Sequence, residues 1–287
     1  MLLITGATGT NGRAVLNQLA KLGIPSRALV REKSKASALA GPLVELVEGD
    51  FAKPETLDAA LKGIESAFLL SSGDETQVAM QSNFVEAAQR AGLPRVVKLS
   101  VSGANLNSPV RYGRWHAQTE QQIREAAIPF TFLRPNFFMQ NFLTLGKATI
   151  ASEGKFYMPM KDARVSAVDV RDTAAVAVQA LVGDGHLGQT YEVTGPTAVT
   201  FTEAAASLSA ALGKPVTYID VSPEDYKQRA VTAGTPGWLA DALNEVFAAL
   251  SAGYAADVAD TTFSIGKKQP VVFDQFARDY AAAFQAA

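Results

Sequence analysis

The fold is decided by the first twelve residues, which read MLLITGATGTNG from Met1 to Gly12. Residues 2–5 form a short apolar run that predicts a buried strand, and a glycine-rich turn follows it directly. Residues 12–22 carry apolar side chains at helical spacing, which predicts a helix after the turn. A strand, a glycine turn and a helix in this order are typical of a diphosphate site at the edge of an open parallel sheet.

Glycines at these spacings permit a tight turn, a close approach of the backbone to a diphosphate, and close packing of the helix on the strand. The start of the helix then offers free amides and a partial positive charge. A nucleoside-triphosphatase loop is disfavoured because no lysine followed by serine or threonine comes after the last glycine. The residues expected around the diphosphate are Gly6, Thr8, Gly9, Thr10, Asn11 and Gly12.

Short apolar runs alternate with helical segments through the first half of the chain. Strands are predicted over residues 2–5, 26–30, 43–47, 67–70, 95–100 and 129–133, and helices over residues 12–22, 54–61, 77–91 and 111–126. Strands that are separated by helices predict a parallel sheet with helices on both faces. Right-handed crossovers leave an α/β fold with a Rossmann-type doubly wound sheet as the simplest topology.

The second half of the chain is less regular. Residues 1–139 with 162–195 are predicted to form the dinucleotide-binding Rossmann domain. Residues 140–161 with 196–287 are predicted to form a smaller C-terminal α/β substrate-binding domain. Thr200 and Glu203 match a capping box at the start of an alanine-rich helix, and a last helix is predicted over residues 273–285.

Composition excludes several classes of function. The chain has 287 residues, 26 basic and 28 acidic side chains and no cysteine. A net charge of −2 argues against nucleic acid as the main ligand. The absence of cysteine removes disulfides, thiolate metal sites and a cysteine nucleophile. The two histidines, His116 and His186, do not have metal-ligand spacing, so no metal is expected.

The N-terminal residues lack the basic and long apolar segments of a secretory signal, and no apolar stretch reaches the length of a membrane span. We therefore expect a cytoplasmic protein with no membrane partner, as a monomer or a homodimer.

Three stretches resemble the NmrA-like group of atypical short-chain dehydrogenases, near the triphenylmethane reductase and NADPH:quinone reductase branch. They are the glycine turn with Thr8, residues 128–141 (IPFTFLRPNFFMQN), and residues 116–120 (HAQTE). The likeness extends to residues 49–50 and 168–172 and covers nearly the whole chain. It implies a nicotinamide cofactor and leaves the substrate open, because members include both reductases and non-catalytic redox sensors.

The residue that ends the second strand selects the cofactor in such folds. An NAD site places a carboxylate there for the ribose hydroxyl, whereas this chain has Arg31. A guanidinium can pair with a 2′-phosphate and stack on adenine, which favours NADP while NAD stays possible. Glu32 would repel the phosphate if it turned inward.

Further cofactor contacts are implied by the resemblance. Asp50 and Phe51 would lie near the adenine, and Ser71 and Ser72 near the nicotinamide ribose. The remaining implied positions are Ser100, Pro135, Asn136 and Phe137. All of them lie at the carboxyl ends of predicted strands, where ligands bind in open α/β sheets.

The catalytic helix departs from the usual pattern. Typical short-chain dehydrogenases use Tyr-x-x-x-Lys, but this chain has Tyr112 and His116 at that spacing, with Glu120 on the same face. Neutral imidazole lacks the fixed charge that would lower the pKa of the tyrosine, so general-acid catalysis on a ketone is disfavoured. We expect His116 to orient the nicotinamide or the acceptor, Glu120 to fix the histidine tautomer, and Tyr112 to contact substrate.

Aromatic side chains suggest a flat acceptor. Those expected near the substrate are Trp115, Phe138, Phe156 and Tyr157. The prediction is an NAD(P)H-dependent reductase of a quinone-like or other flat aromatic acceptor. The alternatives are an NADP-binding sensor without turnover and a pathway-specific reductase of an aromatic polyketide-like substrate. An epimerase or ketone reductase is disfavoured by the missing lysine.

Overall fold

The computed structural model describes residues 1–285. Its strands are β1 Leu2–Ile4, β2 Ser26–Val30, β3 Val44–Glu48, β4 Ser66–Leu69, β5 Val96–Leu99, β6 Phe130–Pro135, β7 Lys155–Met158, β8 Gln189–Val193 and β9 Thr217–Asp220. Within this described part, the central sheet has seven parallel strands in the order β3-β2-β1-β4-β5-β6-β8. The predicted Rossmann-type fold is confirmed.

The helices cover both faces of this sheet and form most of the C-terminal region. They are α1 Thr10–Lys21, α2 Leu57–Leu61, α3 Gln77–Arg90, α4 Arg111–Glu125, α5 Asn141–Leu145, α6 Lys147–Glu153, α7 Val170–Val182, α8 Phe201–Leu212, α9 Pro223–Thr232, α10 Gly237–Ser251, α11 Thr261–Ser264, α12 Phe273–Asp279 and α13 Ala281–Gln285. Among residues 1–285, none of the helices has the length and hydrophobicity of a membrane span.

Alternation along β1 divides the core into two layers. Ile4 points to one face and packs in a cluster with Leu16 of α1 and residues of α7. Leu3 points to the other face, where Phe84 of α3 and Ile123 of α4 cover it. Each strand of a doubly covered parallel sheet is apolar on both faces, which is why β1 is a continuous hydrophobic run.

A third apolar cluster holds the C-terminal region together. Phe142, Phe156 and Phe201 pack against one another with ring centroids 5.3 to 6.4 Å apart. Phe156 belongs to β7, which pairs in parallel with β9. Phe137 joins this cluster from the segment after β6. The division of the chain into two domains at the predicted boundaries stays a prediction.

The observed boundaries of the helices differ from the predicted ones in few places. The predicted last helix is interrupted at Tyr280, which separates α12 from α13. The segment predicted helical from Pro54 begins as a 3₁₀ turn over Pro54–Thr56 before α2. The predicted capping box is confirmed, because the side chains of Thr200 and Glu203 each bond to the backbone of the other.

Candidate active site

A cleft of about 900 Å³ opens where β4, β5 and β6 end and the C-terminal region faces the sheet. This is the edge at which open α/β sheets bind ligands, next to the point where strand order reverses between β1 and β4. The predicted site residues that line the cleft are Asn11, Ser71, Ser100, Tyr112, His116, Pro135, Asn136, Phe137 and Phe138.

The glycine turn between β1 and α1 fits a diphosphate. Gly6 has φ +59°, a conformation that favours glycine. A Cβ added to Gly12 would lie 2.2 Å from the carbonyl oxygen of Gly6, so α1 starts against the turn only because position 12 has no side chain. No side chain caps α1 at Gly9, and its first turn carries no acid. The amides at this helix start are therefore free to receive an anion.

The end of β2 leaves a guanidinium in solvent. Arg31 follows β2 directly and is exposed. Glu32 bonds to its own neighbours, since its carboxylate accepts from Ser34 Oγ at 2.6 Å and pairs with Lys35 Nζ at 2.6 Å. Those contacts lower the pKa of Glu32, and the bond to Lys35 is the main cause. The negative charge of the Glu32 carboxylate is thus balanced by Lys35, next to the arginine.

The residues implied near the adenine and the ribose lie outside the cleft, apart from Ser71. Asp50 closes a turn, with Oδ1 accepting from the amide of Ala52 at 3.0 Å. Phe51 is buried against Phe84, with ring centroids 5.3 Å apart. Ser72 is exposed, and its carbonyl accepts from the Ser71 hydroxyl at 3.1 Å. Their contacts with a cofactor stay predictions.

Asn136 lies in the cleft wall, but its side chain is engaged within the protein. Nδ2 donates to Ser166 Oγ at 2.8 Å and to the carbonyl of Ala255 at 3.0 Å, while Oδ1 accepts from the amide of Phe137. The amide group therefore anchors the segment after β6 to the C-terminal region. This structural role was not expected from the sequence.

Tyr112 of α4 sits at the cleft with its hydroxyl already engaged. The hydroxyl donates to the carbonyl of Gly73 at 3.1 Å, and the ring meets Trp115 edge-on with centroids 5.3 Å apart. Burial raises the pKa of Tyr112 above its ordinary value. A raised pKa keeps the phenol neutral, which suits a hydrogen-bond donor and disfavours an ionising acid.

His116 has a different partner from the expected one. Its Nδ1 lies 2.7 Å from Nζ of Lys98, a residue of β5 whose side chain is 0% exposed. Burial, and then the charge of Lys98, lower the pKa of His116 well below its ordinary value. The ring is therefore neutral at physiological pH.

The expected contact between Glu120 and His116 is wrong. The buried Glu120 carboxylate accepts from Ser100 Oγ at 2.6 Å and from Arg134 Nε and Nη2 at 3.1 and 2.7 Å. A two-pronged guanidinium from β6 outcompetes a neutral ring for a buried carboxylate. Glu120 therefore links α4 to β5 and β6 and lies one layer beneath the cleft.

Three predicted substrate contacts do not line the cleft. Trp115 packs on Tyr112 beside it. Phe156 is 0% exposed, because β7 directs it into the C-terminal core against Phe142. Tyr157 faces the opposite way along the strand, and its hydroxyl donates to Glu153 at 2.6 Å. The alternation of a strand separates these last two side chains, and neither reaches the cleft.

The outer wall of the cleft was not predicted from the sequence. This wall comes from α10, which contributes Leu243, Val246 and Leu250, and from Tyr254, which is 80% exposed at the rim. Lys98 was also missed. A lysine inside the apolar run of a central strand was a usable signal, because such a position buries its side chain.

An ion pair fixes α10 to α4 beside the cleft. The guanidinium of Arg111 donates to Glu245 Oε1 at 2.6 and 3.0 Å, and its amide donates to Oε2 at 2.7 Å. Burial would raise the pKa of Glu245, but the hydrogen bonds and charge of Arg111 outweigh it and lower that pKa.

Known proteins resemble this chain over its full length. The profile of the NmrA-like family matches residues 1–267. The NAD(P)H azoreductase of Xenophilus azovorans is 42% identical over 287 residues, covering 100% of both chains. An NADPH-dependent quinone oxidoreductase of Escherichia coli, solved with NADPH, is 29% identical with a TM-score of 0.89 and coverage of 97% and 99%. The triphenylmethane reductase of a Citrobacter species, solved with NADP(H), is 29% identical with a TM-score of 0.88 and coverage of 98% and 100%.

Proposed function

The chain belongs to the NmrA-like family, and on that premise we propose that it is an NAD(P)H-dependent reductase of flat aromatic acceptors such as quinones and azo compounds. One observation carries the proposal. Asn11, in the first turn of α1, lines the same cleft as His116, so the proposed diphosphate end at the start of α1 and the proposed reactive end around His116 would share one cleft. Its relatives are named as an azoreductase, a quinone oxidoreductase and a triphenylmethane reductase, which supports an aromatic acceptor.

Each part of the site has its own proposed role. The free amides at the start of α1 would hold the diphosphate, and Arg31 would pair with the 2′-phosphate of NADP. The reduced nicotinamide, when bound, supplies hydride. Leu243, Val246 and Phe138 all line the cleft, so a flat acceptor would meet apolar walls there. Neutral His116 presents a hydrogen bond to the nicotinamide end or to the acceptor.

Turnover of NADPH with a panel of quinone and azo acceptors tests the proposal, with NADP affinity measured by calorimetry alongside. We expect turnover with at least one aromatic acceptor. NADP binding without turnover of any acceptor would instead indicate a redox sensor. No binding of either NADP or NAD would overturn the proposal.

The role of His116 has its own test. His116→Ala should lower turnover by about tenfold to a hundredfold and leave NADP affinity nearly unchanged, because the diphosphate site is separate. The matched control is His186→Gln. His186 lies outside the cleft, with Nδ1 2.9 Å from the hydroxyl of Tyr191. An unchanged rate in His116→Ala would remove the role.

A further inference from the structure

A lysine lies buried beneath the reactive end of the cleft. Lys98 is 0% exposed on β5, between Val97 and Leu99, and its Nζ donates to the carbonyl of Leu99 at 3.1 Å. Burying an ammonium group is costly unless partners compensate for its lost hydration. The position is therefore unfavourable for stability alone.

The second partner of this lysine is the histidine of the cleft. Nζ of Lys98 lies 2.7 Å from Nδ1 of His116. His116 is one of the residues that line the cleft, whereas Lys98 is not. Among the described residues, the structure gives the other ring nitrogen, Nε2, no hydrogen-bond partner. The imidazole thus bridges a buried ammonium group and the space where an acceptor binds.

The charges around Lys98 are few and opposed. The titratable or charged groups that act on it are His116 and Glu120 of α4 and Arg134 of β6. Glu120 favours the ammonium form, but its carboxylate is shared with Arg134, which disfavours that form. Burial is the largest effect and lowers the pKa of Lys98 to about 7.

We propose that Lys98 is the positioning residue and proton source of the reaction, acting through His116. An ammonium group can only donate, so it holds Nδ1 as an acceptor and leaves the ring proton on Nε2, towards the cleft. The neutral histidine then donates to the oxygen or nitrogen of the acceptor. The inference rests on the proposed function, because the hydride that accompanies this proton comes from the reduced nicotinamide.

The step balances in protons and bonds. As hydride adds to the acceptor, its oxygen or nitrogen becomes anionic and takes the proton from Nε2, so the N–H bond there breaks. Nδ1 takes a proton from Nζ, so a new ring N–H bond forms and one ammonium N–H bond breaks. His116 remains neutral as the other tautomer, and Lys98 ends as a neutral amine. The reverse path restores both from water after product leaves.

The chemistry of the acceptor determines how much the proton from Lys98 contributes to the reaction rate. Hydride addition to an azo group leaves a strongly basic nitrogen anion, whereas addition to a quinone leaves a weakly basic phenolate. Water can protonate the phenolate unaided, but the nitrogen anion benefits from a positioned donor. We therefore expect the contribution of Lys98 to be larger with azo acceptors than with quinones.

Kinetics test the proton source, with azobenzene-4-carboxylate and menadione as acceptors. For the azo acceptor, kcat/KM of the wild type should fall about tenfold per pH unit above about pH 7. Lys98→Met should lower it by about a hundredfold near pH 6 and give a flat profile. With menadione the loss should stay within about tenfold. Lys155→Met, which changes an exposed lysine of β7, is the matched control and should behave as the wild type.

Nitrogen NMR tests the contact without turnover. The chain has two histidines, so ¹⁵N-labelled His116 can be assigned with the His186→Gln variant. At about pH 6 the ring proton of His116 in the wild type should be on Nε2. The ¹⁵N signals of His116 should change with pH, with a midpoint at about pH 7. In Lys98→Met that midpoint should be absent.

The outcomes separate the two proposals. No turnover by the wild type with either acceptor would overturn the proposed function, and the NMR result would still judge the contact. Turnover with the same pH profile in the wild type and Lys98→Met would overturn the role of Lys98 alone. The role of Lys98 would also be overturned if His116 of the wild type carried its ring proton on Nδ1, or were an imidazolium, at about pH 6.

Discussion

The two ends of the cleft are built from different parts of the protein. At the glycine turn, the proposed binding of the diphosphate depends on main-chain amides that one short stretch of sequence provides. At the reactive end, His116 of α4 meets Lys98 of β5, and Glu120 of α4 meets Arg134 of β6. The first end is local and carries little charge, whereas the second is assembled from three elements and concentrates buried charge. Substitutions at the two ends should therefore impair the protein in different ways.

The largest effect is expected at the glycine turn. Gly12→Ala would place a Cβ 2.2 Å from the Gly6 carbonyl oxygen, so α1 must move away from the turn. We expect a loss of about 3 kcal/mol in the free energy of unfolding and a loss of NADP affinity of about a hundredfold or more. Denaturant unfolding and calorimetry measure both quantities.

Gly41→Ala is the control for that substitution, because a Cβ there has no heavy atom within 4 Å. It should leave NADP affinity unchanged. If Gly12→Ala bound NADP as the wild type does, the close approach of α1 to the turn would not be needed for the cofactor.

The next effect tests the buried charge at the reactive end. Glu120→Gln keeps the shape of the side chain but removes the carboxylate that pairs with Arg134 at 2.7 Å, and leaves the guanidinium only its longer pair with Glu192 at 3.8 Å. Removing one member of a buried pair should cost about 3 kcal/mol of unfolding free energy. The exposed Glu125→Gln at the end of the same helix is the control for thermal unfolding. Equal melting temperatures for the two variants would contradict the structural role of Glu120.

A smaller effect is expected at the end of β2. Arg31→Ala should narrow the preference for NADPH over NADH by about tenfold, because one charge-assisted pair to the 2′-phosphate is lost. Lys33→Ala, an exposed neighbour, should change it less. The ratio of kcat/KM for the two cofactors is the measurement, and an unchanged ratio in Arg31→Ala would argue against the NADP assignment.

The smallest effect concerns the ion pair between Arg111 and Glu245, which joins α10 to α4 beside the cleft. A double-mutant cycle with Arg111→Met and Glu245→Gln should give a coupling of about 1 kcal/mol at neutral pH. Folding lowers the pKa of Glu245, so the contribution is complete above its unfolded pKa, about 4.3. It should be lost as pH falls through the lower folded value. A coupling that survived at strongly acidic pH would mean that packing, and not the ion pair, joins α10 to α4.

The predicted elements of the sheet were recovered because each is determined locally. Apolar runs such as β1 must be buried on both faces, and the helices between them leave one topology. The predictions of Phe156 and Glu120 failed for one shared reason. Each was assigned from its neighbours in sequence, whereas a partner from a distant segment, Phe142 or Arg134, decided its place.

The sequence by itself determined the sheet, the glycine turn and the arginine that follows β2, because those features depend on backbone conformation and periodicity within a few residues. Only the tertiary structure decided which side chains meet at the reactive end. Lys98 and His116 lie 18 positions apart and contact each other only because β5 passes under α4. Burial then alters the acid–base chemistry of both groups, and burial is a property of the packed molecule, not of the chain.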